Sequence, residues 1–119
     1  MFIDSHSHIH AKNFDADREQ VIERAKVAGV GILIEVGFNP EGWIAASALA
    51  EKYENIYWTA GIHPHEADIA TEENLKKMRE LKKTPAGKKL VAFGEMGLDY
   101  FKNHQTKEVQ QKAFRAQLV

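Results

Sequence analysis

The sequence contains no cysteine, so disulfide bonds and thiolate zinc sites are excluded. Any metal ion must therefore be bound by histidine and carboxylate side chains. Every apolar stretch falls well short of the ~20 residues that a membrane-spanning helix needs, and the first residues lack the pattern of a secretion signal. These absences predict a cytoplasmic protein without a membrane anchor.

The charge is nearly balanced, with sixteen basic and seventeen acidic residues and a net charge of −1. This balance argues against a surface that binds nucleic acid throughout, although a local patch remains compatible with it. Seven of the basic residues lie within residues 76–89, on a predicted outer helix and its loop. We expect that segment to form a solvated surface.

What the sequence does contain is enough apolar material for one core, at 44% of 119 residues. No linker, low-complexity tract or clear repeat marks a second domain. We therefore expect residues 1–119 to form one folded unit, which ends within a helix.

The most informative stretch is Asp-Ser-His-Ser-His at residues 4–8, directly after an apolar start. In an extended strand Asp4, His6 and His8 point to one side, so two imidazoles can reach one metal ion. The alternative is an exposed, histidine-rich terminus without a ligand. Further polar residues at later strand ends favour the metal site.

Hydrophobic patterning predicts four strands, each followed by a helix. Each strand-to-strand unit spans about thirty residues, which is the length of a βαβ crossover. Asp17 with Gln20 forms a capping-box pattern, and Asn39 and Thr71 are predicted N-caps of the next two helices. The predicted strands are the opening segment and residues 30–36, 56–61 and 90–93.

Right-handed crossovers place consecutive parallel strands side by side, so four βα units make half of an eightfold TIM barrel. A small open, doubly wound sheet is the alternative. The barrel is favoured because polar residues follow three of the strands, at the end where barrel enzymes build their active sites. These residues are His6, His8, His63, His65, Glu95 and Asp99.

Three motifs together resemble the TatD family, metal-dependent deoxyribonucleases of the amidohydrolase superfamily. They are Phe-Ile-Asp-Ser-His-Ser-His at 2–8, Gly-Ile-His-Pro-His at 61–65 and Gly-Glu-Met-Gly-Leu-Asp-Tyr at 94–100. The resemblance covers all 119 residues and includes Gln111, Phe114 and Gln117 of the last helix. It implies the N-terminal half of a barrel that hydrolyses phosphodiester bonds.

The resemblance also implies roles for individual residues. His6 and His8 resemble ligands of one divalent ion, and Glu95 a carboxylate that bridges two ions of Mg, Mn or Zn. His63 resembles a catalytic residue close to the substrate phosphate. Asp99 resembles a further catalytic group in the loop that shapes the pocket. His65 and Tyr100 are expected to contact the substrate, which is DNA or a smaller phosphoester.

Two departures from the family pattern stand out. Position 10 is His where the family more often has an acid or its amide, and no role follows for His10. The family's remaining ligands, two histidines and an aspartate, come from later strands, which lie beyond residue 119. We therefore expect weak metal binding and very slow hydrolysis by a monomer of this chain.

Two other functions remain open: an amide or ester hydrolase of the same superfamily, and a non-catalytic half-barrel that binds or supports a partner. A half-barrel leaves strands one and four as open edges, which predicts a homodimer or association with a missing C-terminal half. Glu35 is expected to be an ion-paired strand residue, and Trp43 and Trp58 are expected to pack in the interior.

Overall fold

The computed structural model describes residues 1–118, in which four parallel strands form one sheet in the order of the sequence. The prediction of sequential βα units is confirmed. Each neighbouring pair of strands runs parallel, as right-handed crossovers require. The strands are β1 (Phe2–Ser7), β2 (Val30–Gly37), β3 (Ile56–Ala60) and β4 (Leu90–Phe93).

Four α-helices connect or follow the strands, and short 3-10 turns lie between them. None of the helices in residues 1–118 is both long and apolar enough to cross a membrane. The α-helices are α1 (Arg18–Val27), α2 (Pro40–Lys52), α3 (Glu72–Glu80) and α4 (Lys107–Gln117). The 3-10 turns are Lys12–Phe14, Pro64–Ile69, Leu81–Lys83 and Pro85–Lys89.

Two of the three predicted helix starts have the expected capping bond. The Asn39 side chain accepts a hydrogen bond from the Gly42 amide at 2.8 Å, and Thr71 caps α3 in the same way. The capping box at Asp17 is wrong. Its backbone (φ −141°, ψ 17°) is not extended as at a usual N-cap, its side chain makes no capping bond, and its carboxylate lies 3.4 Å from Arg24.

The core lies between the sheet and the helices. Trp58 and Ile56 of β3 are fully buried, and Met78 of α3 is nearly so. Trp58 donates its indole N–H to the Ala86 carbonyl at 2.9 Å, so its polar atom is satisfied inside the core. Trp43 donates to Gly61 at 2.8 Å. Both tryptophans are therefore interior packing residues, as expected from the sequence.

Apolar side chains on β1 and β4 remain accessible to solvent. Phe2 and Ile3 of β1 are 71% and 55% exposed, and Val91 and Phe93 of β4 are 50% and 42% exposed. Within residues 1–118, each of these two strands has a neighbour on one side only. The open edges predicted for a half-barrel are thus present.

Helix α4 presents an unusual buried face, because two of its buried residues are glutamines. Gln117 accepts from the Ile62 amide at 2.7 Å and donates to the Ile62 carbonyl at 3.2 Å. Gln110 makes the same pair of bonds to the amide and carbonyl of Asp99, at 2.7 and 3.1 Å. Helix α4 therefore holds in place the loop segments that follow β3 and β4.

This arrangement predicts that Gln117→Leu destabilises the protein, because the amide and carbonyl of Ile62 lose their partners. Burying two unsatisfied backbone groups should lower the free energy of unfolding by about 2–4 kcal/mol. Urea denaturation measures this, with Lys112→Leu on the exposed face of α4 as the control. Equal stability of the two variants would contradict the bonding role of Gln117.

Candidate metal centre

His6, His8 and Glu95 meet at one point. One potential ligand atom from each lies within 4.8 Å of the others. His6 Nε2 is 3.1 Å from His8 Nε2 and 3.4 Å from Glu95 Oε2. His6 belongs to β1, His8 follows it, and Glu95 follows β4, so the two edges of the sheet contribute to one cluster.

The curvature of the sheet makes this meeting possible. In a flat sheet, three spacings of about 4.8 Å would hold the backbones of β1 and β4 roughly 14 Å apart. Here His6 of β1 and Glu95, which follows β4, have side-chain atoms 3.4 Å apart. A closed barrel requires the same curvature.

The donor set fits a divalent metal ion. Ligand bonds near 2.1 Å place neighbouring ligand atoms about 3.0–3.5 Å apart, which matches the two distances at His6. Burial, together with the neighbouring His6 and His10, lowers the pKa of His8. Its ring is therefore neutral near pH 7, the form in which imidazole binds metal ions.

A close approach of two backbones positions Glu95. Gly94 donates its amide to the Ala60 carbonyl at 2.8 Å, and Thr59 Oγ1 donates to the Gly94 carbonyl at 2.7 Å. A Cβ on Gly61 would lie 2.6 Å from the Glu95 carbonyl oxygen. Glycine is therefore required at position 61, at the start of the second motif.

His63 lies on the other side of the Glu95 carboxylate, with its Nε2 3.4 Å from Glu95 Oε1. Its Nδ1 accepts a hydrogen bond from the His65 amide at 3.0 Å. Burial lowers the pKa of His63, although the charge of Glu95 acts to raise it. A neutral ring whose Nδ1 is an acceptor carries its proton on Nε2, so His63 presents an N–H toward Glu95.

An open cavity of about 350 Å³ adjoins this cluster. Its volume lies within the usual range of small-ligand sites. It is lined by His8, Phe38, His63, His65, Glu66 and Glu95. Four of the seven predicted site residues therefore share one cavity, whereas His6, Asp99 and Tyr100 lie outside its lining.

Known proteins resemble this chain in sequence and in structure. Residues 3–119 match the sequence model of a family described as TatD related DNase. The chain belongs to the TatD family. Among TatD-family structures, it superposes on YJJV, a TatD homolog from Escherichia coli K12, with a TM-score of 0.86 and 35% identity. That match covers 98% of this chain and 45% of the other.

Two curated relatives show the same partial coverage. The chain is 42% identical over 119 residues to an uncharacterized metal-dependent hydrolase, YabD, of Bacillus subtilis, of which it covers 46%. It is 40% identical over 111 residues to the 3'-5' ssDNA/RNA exonuclease TatD of Cronobacter sakazakii, of which it covers 41%. The chain thus spans less than half the length of both relatives.

His65 and Asp99 form a pair at the edge of the cavity. His65 Nε2 lies 2.5 Å from Asp99 Oδ2, and Asp99 Oδ1 accepts from the amides of Phe101 and Lys102 at 3.1 and 3.0 Å. The Lys102 amide and the His65 ring lower the pKa of Asp99 to about 2. Tyr100 accepts a hydrogen bond from Gln111 at 2.8 Å and lies beside this pair in sequence.

Sequence reasoning missed two residues that line the cavity. Phe38 packs edge-to-face against His8 and His63, with ring centroids 5.6 and 6.1 Å away. Glu66 accepts hydrogen bonds from the Asn39 amide group at 2.9 and 3.2 Å. Phe38 directly follows β2, so the rule that strand ends carry the site could have identified it.

The basic segment at residues 76–89 does not line this cavity. Lys89 donates to the carbonyls of Ala50 and Tyr53 at the end of α2, at 2.7 and 2.6 Å. Lys82 donates to the Leu90 carbonyl at 2.9 Å. At least these two lysines stabilise the ends of neighbouring elements.

The low pKa of Asp99 leads to a prediction about the stability of the folded protein in acid. Its folded pKa of about 2 lies below the unfolded value of about 3.9, so its stabilising contribution is complete above pH ~4. That contribution is lost as the pH falls through about 2. Asp99→Asn should therefore lose less stability than the wild type between pH 4 and pH 2, as measured by urea denaturation.

The matched control is Glu51→Gln, which removes an exposed carboxylate on α2. Its stability should follow the wild-type pH dependence. Parallel curves for Asp99→Asn and the wild type would show that Asp99 is not held ionised by its partners.

Proposed function

We propose that this chain provides the first part of the active site of a metal-dependent phosphodiesterase that acts on single-stranded nucleic acid. The convergence of His6, His8 and Glu95 from opposite edges of the sheet carries this proposal. Membership of the TatD family and a relative named as an ssDNA/RNA exonuclease support the choice of substrate. A smaller phosphoester is the other candidate substrate.

His6, His8 and Glu95 would hold a divalent ion such as Mg, Mn or Zn. When bound, the ion supplies positive charge that polarises a phosphoryl oxygen and lowers the pKa of water. Glu95 has one oxygen toward His6 and the other toward His63, which suits a carboxylate shared by two ions. We propose a two-metal site on this basis.

His63 is proposed to orient the substrate phosphate. Its neutral ring presents Nε2–H beside the proposed metal site, where it can donate to a phosphoryl oxygen. The hydrogen bond from the His65 amide fixes this tautomer. The proton on Nε2 is thus available for the substrate without a change in protonation state.

Asp99 is proposed to act through His65, although the sequence suggested a catalytic role for it. A carboxylate with a pKa of about 2 is a weak base near neutral pH, so it is poorly suited to abstract a proton. Its bond to His65 Nε2 instead orients that ring at the wall of the cavity. His65 and Tyr100 would then contact the nucleic acid beyond the scissile phosphate.

The apolar side chains exposed on β1 and β4 support association with a second half-barrel, either another copy of this chain or further strands of a TatD-length barrel. Sedimentation velocity at micromolar concentration tests this. We expect a dimer or larger species, and a stable monomer would contradict the proposal.

Isothermal titration with Mn²⁺ tests the proposed metal site. His6→Ala and Glu95→Gln should each weaken Mn²⁺ binding at least tenfold, because the first removes an imidazole ligand and the second removes the charge and one oxygen of a carboxylate ligand. His104→Ala is the control, since His104 is an exposed histidine that packs against His65 outside the cluster. Its affinity should match that of the wild type.

The same variants test the reaction on a 5′-labelled single-stranded oligonucleotide. Slow Mn²⁺-dependent shortening by the wild type should disappear in Glu95→Gln and persist in His104→Ala. Wild-type protein that binds no Mn²⁺, or activity that survives Glu95→Gln, would contradict the proposed function.

A further inference from the structure

The segment that carries His8 leaves the sheet before it reaches the cavity. We call residues 7–11 the histidine arm; it begins at the last residue of β1 and ends before the turn Lys12–Phe14. Beyond Ser7 the arm has no strand pairing with β2. Its position therefore depends on hydrogen bonds from side chains and on the burial of Ile9 in the core.

Glu35 of β2 holds the inner side of the arm. Its side chain is fully buried and accepts three hydrogen bonds, from Ser7 Oγ and from the amide and Nδ1 of His10. The two bonds from His10 measure 2.9 and 2.7 Å. Because Ser7 and His10 flank His8, one carboxylate fixes the arm on both sides of a proposed ligand.

Arg18 of α1 holds the outer side of the arm. Its guanidinium donates to the carbonyls of Ile9, His10 and Ala11 at 2.8, 3.2 and 3.0 Å. Asp15 lies 2.5 Å from the same guanidinium and restrains it. Three successive carbonyl groups of the arm are thereby bound to one planar cation.

His8 itself lacks the restraint that metal-binding histidines usually have. Such a ring normally donates its second N–H to a carboxylate or carbonyl, which fixes its orientation. Within residues 1–118, the buried His8 Nδ1 has no hydrogen-bond partner of normal geometry. The orientation of the ring therefore depends on the position of the arm and on its packing against Phe38.

We propose that Glu35 and Arg18 are positioning residues that hold the histidine arm, and with it His8, in the metal-binding arrangement before an ion binds. This inference rests on the proposed metal site. It also accounts for His10, whose ring and amide complete the coordination of Glu35 by hydrogen bonds.

A purely structural role explains Glu35 poorly. Burying a carboxylate costs desolvation free energy, and apolar residues often replace buried ion pairs without loss of stability. Leu33, two positions earlier on the same face of β2, is buried in the core, so this face already accepts an apolar side chain. A carboxylate at this position is useful because it binds donors of the arm.

The variant Glu35→Gln tests the inference through metal affinity and through the rigidity of the arm. Glutamine has the same shape as glutamate but carries a donor amide group in place of one acceptor oxygen. Mn²⁺ affinity should fall ten- to a hundredfold, as it does when the partners of metal ligands are removed in other proteins. Arg18→Gln should also weaken binding. It keeps the test decisive if Glu35→Gln does not fold.

Met78→Ala is the control for stability, since Met78 is buried on α3 and is not a partner in the hydrogen bonds that hold the arm. It should lower the melting temperature without changing Mn²⁺ affinity by more than about twofold. In metal-free protein, hydrogen exchange at the His10 amide should accelerate in Glu35→Gln and stay slow in Met78→Ala.

Three results would overturn the inference. One is unchanged Mn²⁺ affinity in both Glu35→Gln and Arg18→Gln, and another is an equal loss in Met78→Ala. The third is absence of Mn²⁺ binding by the wild type, which alone also rejects the proposed function. If the wild type binds Mn²⁺ and the variants bind it equally well, the inference fails while the proposed function stands.

Discussion

The curvature of the four-stranded sheet is the constraint on which the candidate site depends. A curved sheet brings a residue after β4 close to a residue of β1, as Glu95 lies close to His6. The twist of the parallel strands contributes to that curvature, and α2 packs against β2 and β3. A flat arrangement of the same elements would separate the histidines from the carboxylate.

Hydrogen bonds from side chains to loop backbones then fix the positions of the loops around the site. The glutamines of α4 fasten Ile62 and Asp99, and Glu35 with Arg18 fastens the histidine arm. Each bond satisfies a backbone group that no strand or helix satisfies. The loops around the cavity are consequently held by polar contacts rather than by apolar packing alone.

The alternation of apolar strands and amphipathic helices was enough to predict the order of the sheet, because those patterns depend on neighbouring residues. The pairing of His10 with Glu35 was not predictable in this way, since it links positions 25 residues apart through the register of β1 and β2. Gln110 was missed because a glutamine in a helical pattern is normally expected on the exposed face, whereas this one is buried. Its partner exists only once the loop after β4 has folded against α4.

Crystals of the protein soaked in Mn²⁺ test the central claim most directly, through the anomalous signal of manganese. The account predicts an anomalous peak about 2.1–2.2 Å from His6 Nε2, His8 Nε2 and a carboxylate oxygen of Glu95. A peak at another site, or no peak at the meeting point of these three side chains, would contradict it.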